Sequence, residues 1–258
     1  MTAVPAYLEA GKAARVLVFL HGIGGGKEGW QRSLEHFAGR GWRALAWDMP
    51  GYGGSAALHL RDFAGLAAAL ERLLDAAAVD RAVLVGHSLG GMVALEAWAR
   101  MPSRIEAMVL AATSPAFGST DGEFQRQFLA QRLAPLDQGR TMAEVAAPLI
   151  PSMAGPGADP EGVALARTLM SRIPPASYRA ALQALVRFDR RAVLPEIRVP
   201  VLCLAGEHDK TAPPQVLRRM AGKIPGAVCA EIPGAGHLLN FERPAEFHAA
   251  LEPFLNKL

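Results

Sequence analysis

Cysteine is nearly absent from this chain. Its 258 residues hold only Cys203 and Cys229, too few for a disulfide framework, and each lies in an apolar, strand-like run. Two buried, reduced thiols and a cytoplasmic location are the expectation. Long hydrophobic runs are missing as well. No apolar stretch approaches the roughly 20 residues that a membrane span needs, so no membrane partner is expected. The first residues, Met1-Thr2-Ala3-Val4-Pro5, carry neither a charged n-region nor an apolar h-region, which argues against a signal peptide. Charge of one sign is scarce: 27 Lys and Arg against 24 Asp and Glu leave a formal net charge of +3, and the arginines are scattered. Without a basic run or interleaved aromatics, no nucleic-acid surface is expected. Pairs of the form H-x-x-x-H or C-x-x-C do not occur, so the spacing gives no metal signature.

What is present is a globular composition, 51% hydrophobic and 20% charged, large enough for one core with a small lid. The strongest local signal lies at 82–92. Val83, Leu84 and Val85 form a short apolar run suited to a strand buried on both faces. Gly86-His87-Ser88-Leu89-Gly90 follows, and then residues of helical character from Val93 to Trp98. A strand, G-x-S-x-G and a helix make the nucleophile elbow, a turn so sharp that glycine fits best on either side of the serine. The serine then projects at a helix N-terminus, where free N–H groups favour negative charge.

Around this stretch the chain alternates. A short hairpin is expected at 7–12, strands at 16–20 and 42–47, a helix starting near Glu28, a helix at 63–77 and a strand at 107–112. That rhythm predicts an α/β fold with a mostly parallel, doubly wound central sheet. It breaks at Thr113. Residues 115–191 contain no strand-like run, only helical segments at 123–136, 142–150, 161–173 and 176–188, with prolines between and within them. We expect an all-helical insertion serving as a lid, with 1–114 and 192–258 forming the core domain. The sheet rhythm returns with strands at 199–205 and 227–232 and helices at 214–222 and 244–255.

A serine hydroxyl needs a base within hydrogen-bond reach, and the base needs an orienting carboxylate. In an open parallel sheet such groups gather beyond the carboxyl ends of the strands. Gly206-Glu207-His208-Asp209 follows one late strand, and Gly234-Ala235-Gly236-His237 follows the next. Ser88, an acid and His237 thus stand in the chain order given by this elbow. Spacing alone leaves both Glu207 and Asp209 open as the acid. One oxyanion donor is expected at the N–H after the nucleophile, Leu89, and another in the loop after the first central strand.

Leu20-His21-Gly22, 48–55 (Asp-Met-Pro-Gly-Tyr-Gly-Gly-Ser), the elbow and the two late loops together resemble the α/β-hydrolase-fold serine hydrolases, over nearly the whole chain. The resemblance implies a triad of Ser88, Asp209 and His237, with Asp209 preferred through the G-x-x-D pattern. It puts the second oxyanion N–H at Ile23, makes His21 a structural loop histidine and makes 115–191 a helical cap. No cofactor is implied. Gly25-Gly26-Lys27 ends as a P-loop does, but His21 stands where that loop needs Gly and Glu28 where it needs Ser or Thr. Serine in place of aspartate disfavours haloalkane dehalogenases and epoxide hydrolases. The implied substrate is a small, largely apolar carboxylic ester or lactone, as in carboxylesterases and 3-oxoadipate enol-lactonases. Carbon–carbon hydrolases of the meta-cleavage type and cofactor-free haloperoxidases are the alternatives, with a non-catalytic ligand-binding role more remote.

Some assignments are secondary. His87 is expected to pack or hydrogen-bond near the elbow, His208 to be a loop residue, and His36, His59 and His248 to lie on helix surfaces. Phe117, Phe124, Phe128, Met142, Leu149, Ile150 and Met153 are candidate lining for the substrate pocket. Arg126, Arg132, Arg167, Arg172 and Arg179 read as solvated faces, any one of which could hold a substrate carboxylate. Oligomeric state is not readable from the sequence.

Overall fold

The computed structural model describes residues 3–57, 62–118 and 122–258. His59 lies outside them. The first half runs β1 (Tyr7–Ala10), β2 (Val16–Leu20), a 3₁₀ turn (Lys27–Trp30), α1 (Gln31–Ala38), β3 (Arg43–Trp47), α2 (Phe63–Ala76), β4 (Ala82–His87), α3 (Leu89–Arg100) and β5 (Ile105–Ala111). Four helices follow: α4 (Glu123–Asp137), α5 (Met142–Met153), α6 (Pro160–Ser171) and α7 (Pro175–Leu185). The chain closes with β6 (Val201–Gly206), α8 (Pro214–Ala221), β7 (Val228–Ile232), α9 (Leu239–Glu242) and α10 (Pro244–Leu255).

The seven strands form one sheet in the order β1-β3-β2-β4-β5-β6-β7, parallel except for β1. The expected hairpin at 7–12 is not there. Both edges of β2 are occupied, by β3 and β4, so β1 pairs antiparallel with the outer edge of β3. Every residue of β2, β4 and β6 is buried, which is why these strands read as unbroken apolar runs. Alternate side chains serve opposite faces. Val18, Leu20, Leu84 and Leu110 join the core under α2, α3 and α8, while Leu17, Phe19, Val83 and Val85 join the core under α1 and α10.

From β2 the chain moves outward to β3, and from β4 it moves the other way to β5. The crevice between these departing loops is the topological switch point where α/β folds bind ligands. The four inserted helices lie between β5 and β6. Their two ends are tied together at a neck, where Phe117 N–H donates to Phe188 O at 3.1 Å and Arg190 N–H to Pro115 O at 2.7 Å. Arg190 also reaches the buried Glu96 of α3.

Three surface or burial expectations fail. Cys203 is buried as expected, and burial pushes its thiol up to about 12. Cys229 sits beside it in register but is exposed, because β7 is the outermost strand. His248 is also buried, stacked on His36 at 4.1 Å and hydrogen-bonded to Ser33 Oγ at 2.9 Å. His36 is half-buried and meets Glu252 at 2.8 Å. A helix surface facing another helix is interior, and only the packing of α1 on α10 reveals that. No helix among the described residues is long and apolar enough to cross a membrane.

Candidate active site

Ser88 stands between β4 and α3, as the N-cap of α3, with φ 53° and ψ −119°, a conformation that costs a non-glycine residue on the order of 1–3 kcal/mol. The surroundings enforce it. Ser88 N–H donates to Ala111 O at 2.9 Å, and Ser88 O accepts from Thr113 Oγ1 at 2.7 Å. The flanking glycines are required by contact: a Cβ at Gly90 would lie 2.0 Å from Leu20 O, and one at Gly86 would lie 2.5 Å from Gly90 O.

The structure brings the loops after β4, β6 and β7 together. Ser88 Oγ–H faces His237 Nε2 at 3.0 Å, and His237 Nδ1–H donates to Asp209 Oδ2 at 2.8 Å. Asp209 Oδ1 accepts from the N–H groups of Thr211 and Ala212, at 2.7 and 3.0 Å. Burial by itself would raise the Asp209 carboxyl. The His237 charge and these hydrogen bonds outweigh it and hold the pKa below the ordinary carboxylate value. Glu207 is turned away from this chain of contacts. It accepts from Gly234 N–H at 2.8 Å, while His208 is solvent-facing.

The loop after β2 lies against the elbow. A Cβ at Gly22 would come within 3.1 Å of Ser88 Cβ. The N–H groups of Ile23 and Leu89 have no acceptor among the described residues, and both residues border the serine. Tyr52 Oη–H donates to Ile23 O at 3.0 Å and so fixes that peptide. His21 donates from Nδ1 to Gly22 O at 2.7 Å and accepts Met49 N–H at Nε2, 2.9 Å away. Burial lowers its pKa, which keeps this bridging tautomer neutral. His87 donates from Nε2 to His237 O at 2.6 Å. Burial, with the neighbouring His237 ring, pushes His87 down to about 3. The same loop carries the spacing G-x-G-x-x-G at Gly24, Gly26 and Gly29, which sequence reasoning passed over. It opens one 3₁₀ turn rather than a long helix, and a Cβ at Gly29 would meet the Phe241 ring at 2.5 Å, so Gly29 serves packing.

One residue of the site went unread in the sequence. Glu242 is buried, and its carboxylate accepts three backbone N–H groups: Leu238 at 2.7 Å, Gly236 at 2.7 Å and Gly155 at 2.6 Å. Two of these flank His237. The third belongs to the inserted helices, as does Met153 O, which accepts His237 N–H at 2.8 Å. A carboxylate is viable in the interior when such bonds replace water. Its only sequence signal is an acidic residue closing the otherwise uncharged 238–241.

Ser88 opens into a cavity of about 1010 Å³, its solvent-open mouth included, between the sheet loops and the inserted helices. Phe117, Phe128, Leu149, Ile150 and Met153 line it as expected. Phe124 does not, being 52% exposed, and Met142 is buried in the core instead. Arg132 is the single formally charged side chain among the lining residues. Groups of three or more residues suited to hold a metal ion do not occur among the described residues.

A family profile described as the alpha/beta hydrolase fold matches residues 15–244. The pimeloyl-[acyl-carrier protein] methyl ester esterase of Aliivibrio salmonicida is 28% identical over 243 residues, covering 93% of this chain and 91% of its own. A protein of Pseudomonas syringae named as a carbamate hydrolase, RutD, is 31% identical over 257 residues, with 94% of each chain covered. The chain spans about half, 48%, of the biotin biosynthesis bifunctional protein BioHC of Cellvibrio japonicus, at 28% identity. Among solved structures, the enol-lactonase of Burkholderia xenovorans superposes with a TM-score of 0.87 at 26% identity, covering 97% of this chain and 96% of the other. Fold, elbow geometry and profile agree, and the chain belongs to the alpha/beta hydrolase family of enzymes.

Proposed function

We infer that this hydrolase cleaves a small, largely apolar carboxylic ester or lactone through an acyl-enzyme. The observation that carries the reading is the unbroken run of hydrogen bonds from Ser88 through His237 to Asp209, opening on a mainly apolar cavity beside two free N–H groups. Ser88 Oγ attacks the carbonyl carbon while His237 Nε2 takes its proton. The oxygen that becomes negative is met by Ile23 and Leu89 N–H. Collapse of the tetrahedral species breaks the bond to the leaving oxygen, which receives the proton from Nε2. Water then attacks the acyl-enzyme by the same route and regenerates Ser88. Asp209 holds the His237 tautomer and stabilises the imidazolium. Residues 115–191 form a cap domain over a core of 1–114 and 192–258, and the cap sets which acyl groups fit. The enol-lactonase and methyl ester esterase relatives support both substrate types.

The test is fluorophosphonate labelling with intact-mass detection, alongside hydrolysis of p-nitrophenyl esters of increasing chain length and of small lactones. Wild type should take up one label and Ser88→Ala none, with kcat falling by roughly 10⁴-fold or more. Labelling at another serine would overturn the assignment.

A further inference from the structure

Ile23 N–H is carried by a loop with little to hold its own shape. Four of the five residues from Gly22 to Gly26 are glycine, the residue with the most backbone freedom to lose. Within the loop, Gly25 N–H donates to Gly22 O at 3.0 Å. The place of Ile23 therefore depends on what the loop is tied to, and three anchors lie on the segment after β3. At the near end His21 Nε2 accepts Met49 N–H, and in the middle Tyr52 Oη–H reaches Ile23 O. At the far end Lys27 takes both oxygens of Asp48. Its N–H donates to Oδ1 at 3.0 Å, and its ammonium pairs with Oδ2, which also accepts Gly54 N–H at 2.9 Å. Asp48 is wholly buried, and Lys27 is its one cationic partner among the described residues. A Cβ at Gly53 would lie 2.2 Å from Asp48 Oδ2, so the carboxylate is packed directly against backbone.

A buried carboxylate is unfavourable unless a cation and hydrogen bonds replace its water. Asp48 therefore fixes Lys27. Lys27 in turn fixes the exit of the glycine loop, because the charge and the N–H belong to one residue, and bonds to an ionised acceptor are the strong ones. Glu28 adds little: its Oε1 is 3.2 Å from the ammonium, but the side chain is 47% exposed and screened by water. Neither Lys27 nor Asp48 lines the cavity, so both act on the reaction only through the loop. The Gly25-Gly26-Lys27 run, which is no phosphate loop, has its use here. We propose that Lys27 is a positioning residue for the oxyanion site, and that its clasp on Asp48 sets where Ile23 N–H stands relative to Ser88. A misplacement of about 1 Å in a reacting geometry is enough to lower a rate on the order of 10²-fold. This inference rests on the hydrolase reading above and adds a residue to its machinery.

Kinetics on enzyme counted by fluorophosphonate titration test it, since loss of folded protein then does not enter. Lys27→Met keeps the backbone N–H and removes the charge. Its kcat on p-nitrophenyl butyrate should fall roughly ten- to a hundredfold with KM nearly unchanged. Ser88 captures a short alkyl trifluoromethyl ketone as a hemiketal whose oxygen occupies the oxyanion site, so inhibition by the ketone should weaken by the same factor as kcat/KM. Lys27→Arg should recover part of both. Lys27→Met/Asp48→Asn also removes the stranded carboxylate, and should regain the denaturant midpoint of wild type without regaining kcat. The proposal is overturned by a kcat for Lys27→Met close to wild type, by a fall in kcat with ketone inhibition intact, or by a double variant that regains kcat along with stability. In each of those cases the hydrolase reading stands. If wild type neither cleaves the ester nor takes the ketone, the hydrolase reading fails, and amide exchange decides on Lys27. Faster exchange of Gly25 and Gly29 N–H, which are bonded to Gly22 O and Gly26 O, in Lys27→Met with the elbow at 84–92 unchanged upholds Lys27 as the anchor of the loop. Equal exchange overturns it.

Discussion

The two walls of the cavity are built on opposite principles. On the sheet side, the polar side chains that hold the Ser88 loops in place are tied down: His21, His87, Asp209, Glu242 and Tyr52 each meet named backbone groups or one another. Among the described residues the two N–H groups beside the serine are left unpaired, as are Trp30 Nε1 and Asn240 Oδ1 of the same lining. On the side of the inserted helices the wall is mostly carbon, from Phe117, Phe128, Leu149 and Met153, with the Arg132 guanidinium 5.4 Å from the centroid of the Phe128 ring. A saturated network rigidifies and pre-organises, which chemistry requires. An apolar wall with few polar groups selects shape and charge, which substrate choice requires. The difference implies that substitutions on one wall change kcat broadly and those on the other change preference.

The sharpest way to break that division is on the sheet side. Asp209→Asn should cost on the order of 10⁴ in kcat through the wrong His237 tautomer, while Glu207→Gln leaves activity within a few-fold. Steady-state kinetics on one short ester settles it, and the reverse pattern would move the acid to Glu207. Next comes Glu242→Gln. An amide can accept at one atom only, so at least one of the N–H groups around His237 is left unpaired, at a cost of about 1–3 kcal/mol. We expect a lower midpoint in denaturant and a kcat reduced about tenfold or more by the loosened His237 loop, with KM much less affected. A change in stability with kcat intact would make Glu242 a purely structural clamp.

Leu149→Trp probes the opposite wall. It fills part of the cavity, and the preference among p-nitrophenyl acetate, butyrate and octanoate should shift toward short chains by several-fold, a methylene being worth up to about 1–3 kcal/mol in such a pocket. Should the profile stay flat while kcat collapses, the walls are not separable.

The smallest effect falls in neither wall. His248, packed between α1 and α10, has its pKa pushed down to about 4, first by burial and then by His36 and Arg40, with Glu252 opposing. The unfolded chain, with histidine near 6.5, binds that proton earlier than the folded one. Stability is therefore complete above about pH 6.5 and is lost as pH falls toward about 4. His248→Gln should make the pH dependence of unfolding shallower by about one proton in that window, read from urea midpoints across pH. His21 and His87, also lowered, carry the same sign in the site itself. An unchanged slope would show that His248 is already charged in the folded protein.

Much of this was legible without coordinates, for local reasons. Buried parallel strands announce themselves as apolar runs, and the elbow does so through two glycines that contact distances make compulsory. Four inserted helices were readable from a long stretch without strand pattern, though α5 runs on past 150 and takes in Pro151. The ends of the strands placed Ser88, Asp209 and His237 at one edge before any distance was known. Family resemblance then preferred Asp209, whose Oδ2 lies 2.8 Å from His237 Nδ1.

What the sequence by itself determined is the set of elements and the loops that carry polar groups, since periodicity and turn chemistry act over a few residues. The tertiary structure decided everything that depends on what lies across a gap. It chose β3 as the partner of β1, because both edges of β2 were taken. It buried His248 under α1 and exposed Cys229 on an edge strand. It turned Glu242 into a clamp by bringing Gly155, Gly236 and Leu238 around it. And of five similar arginines it placed only Arg132 in the cavity lining, with its guanidinium 5.4 Å from the Phe128 ring centroid. Pairing and burial are properties of two segments at once, and no single stretch of chain contains them.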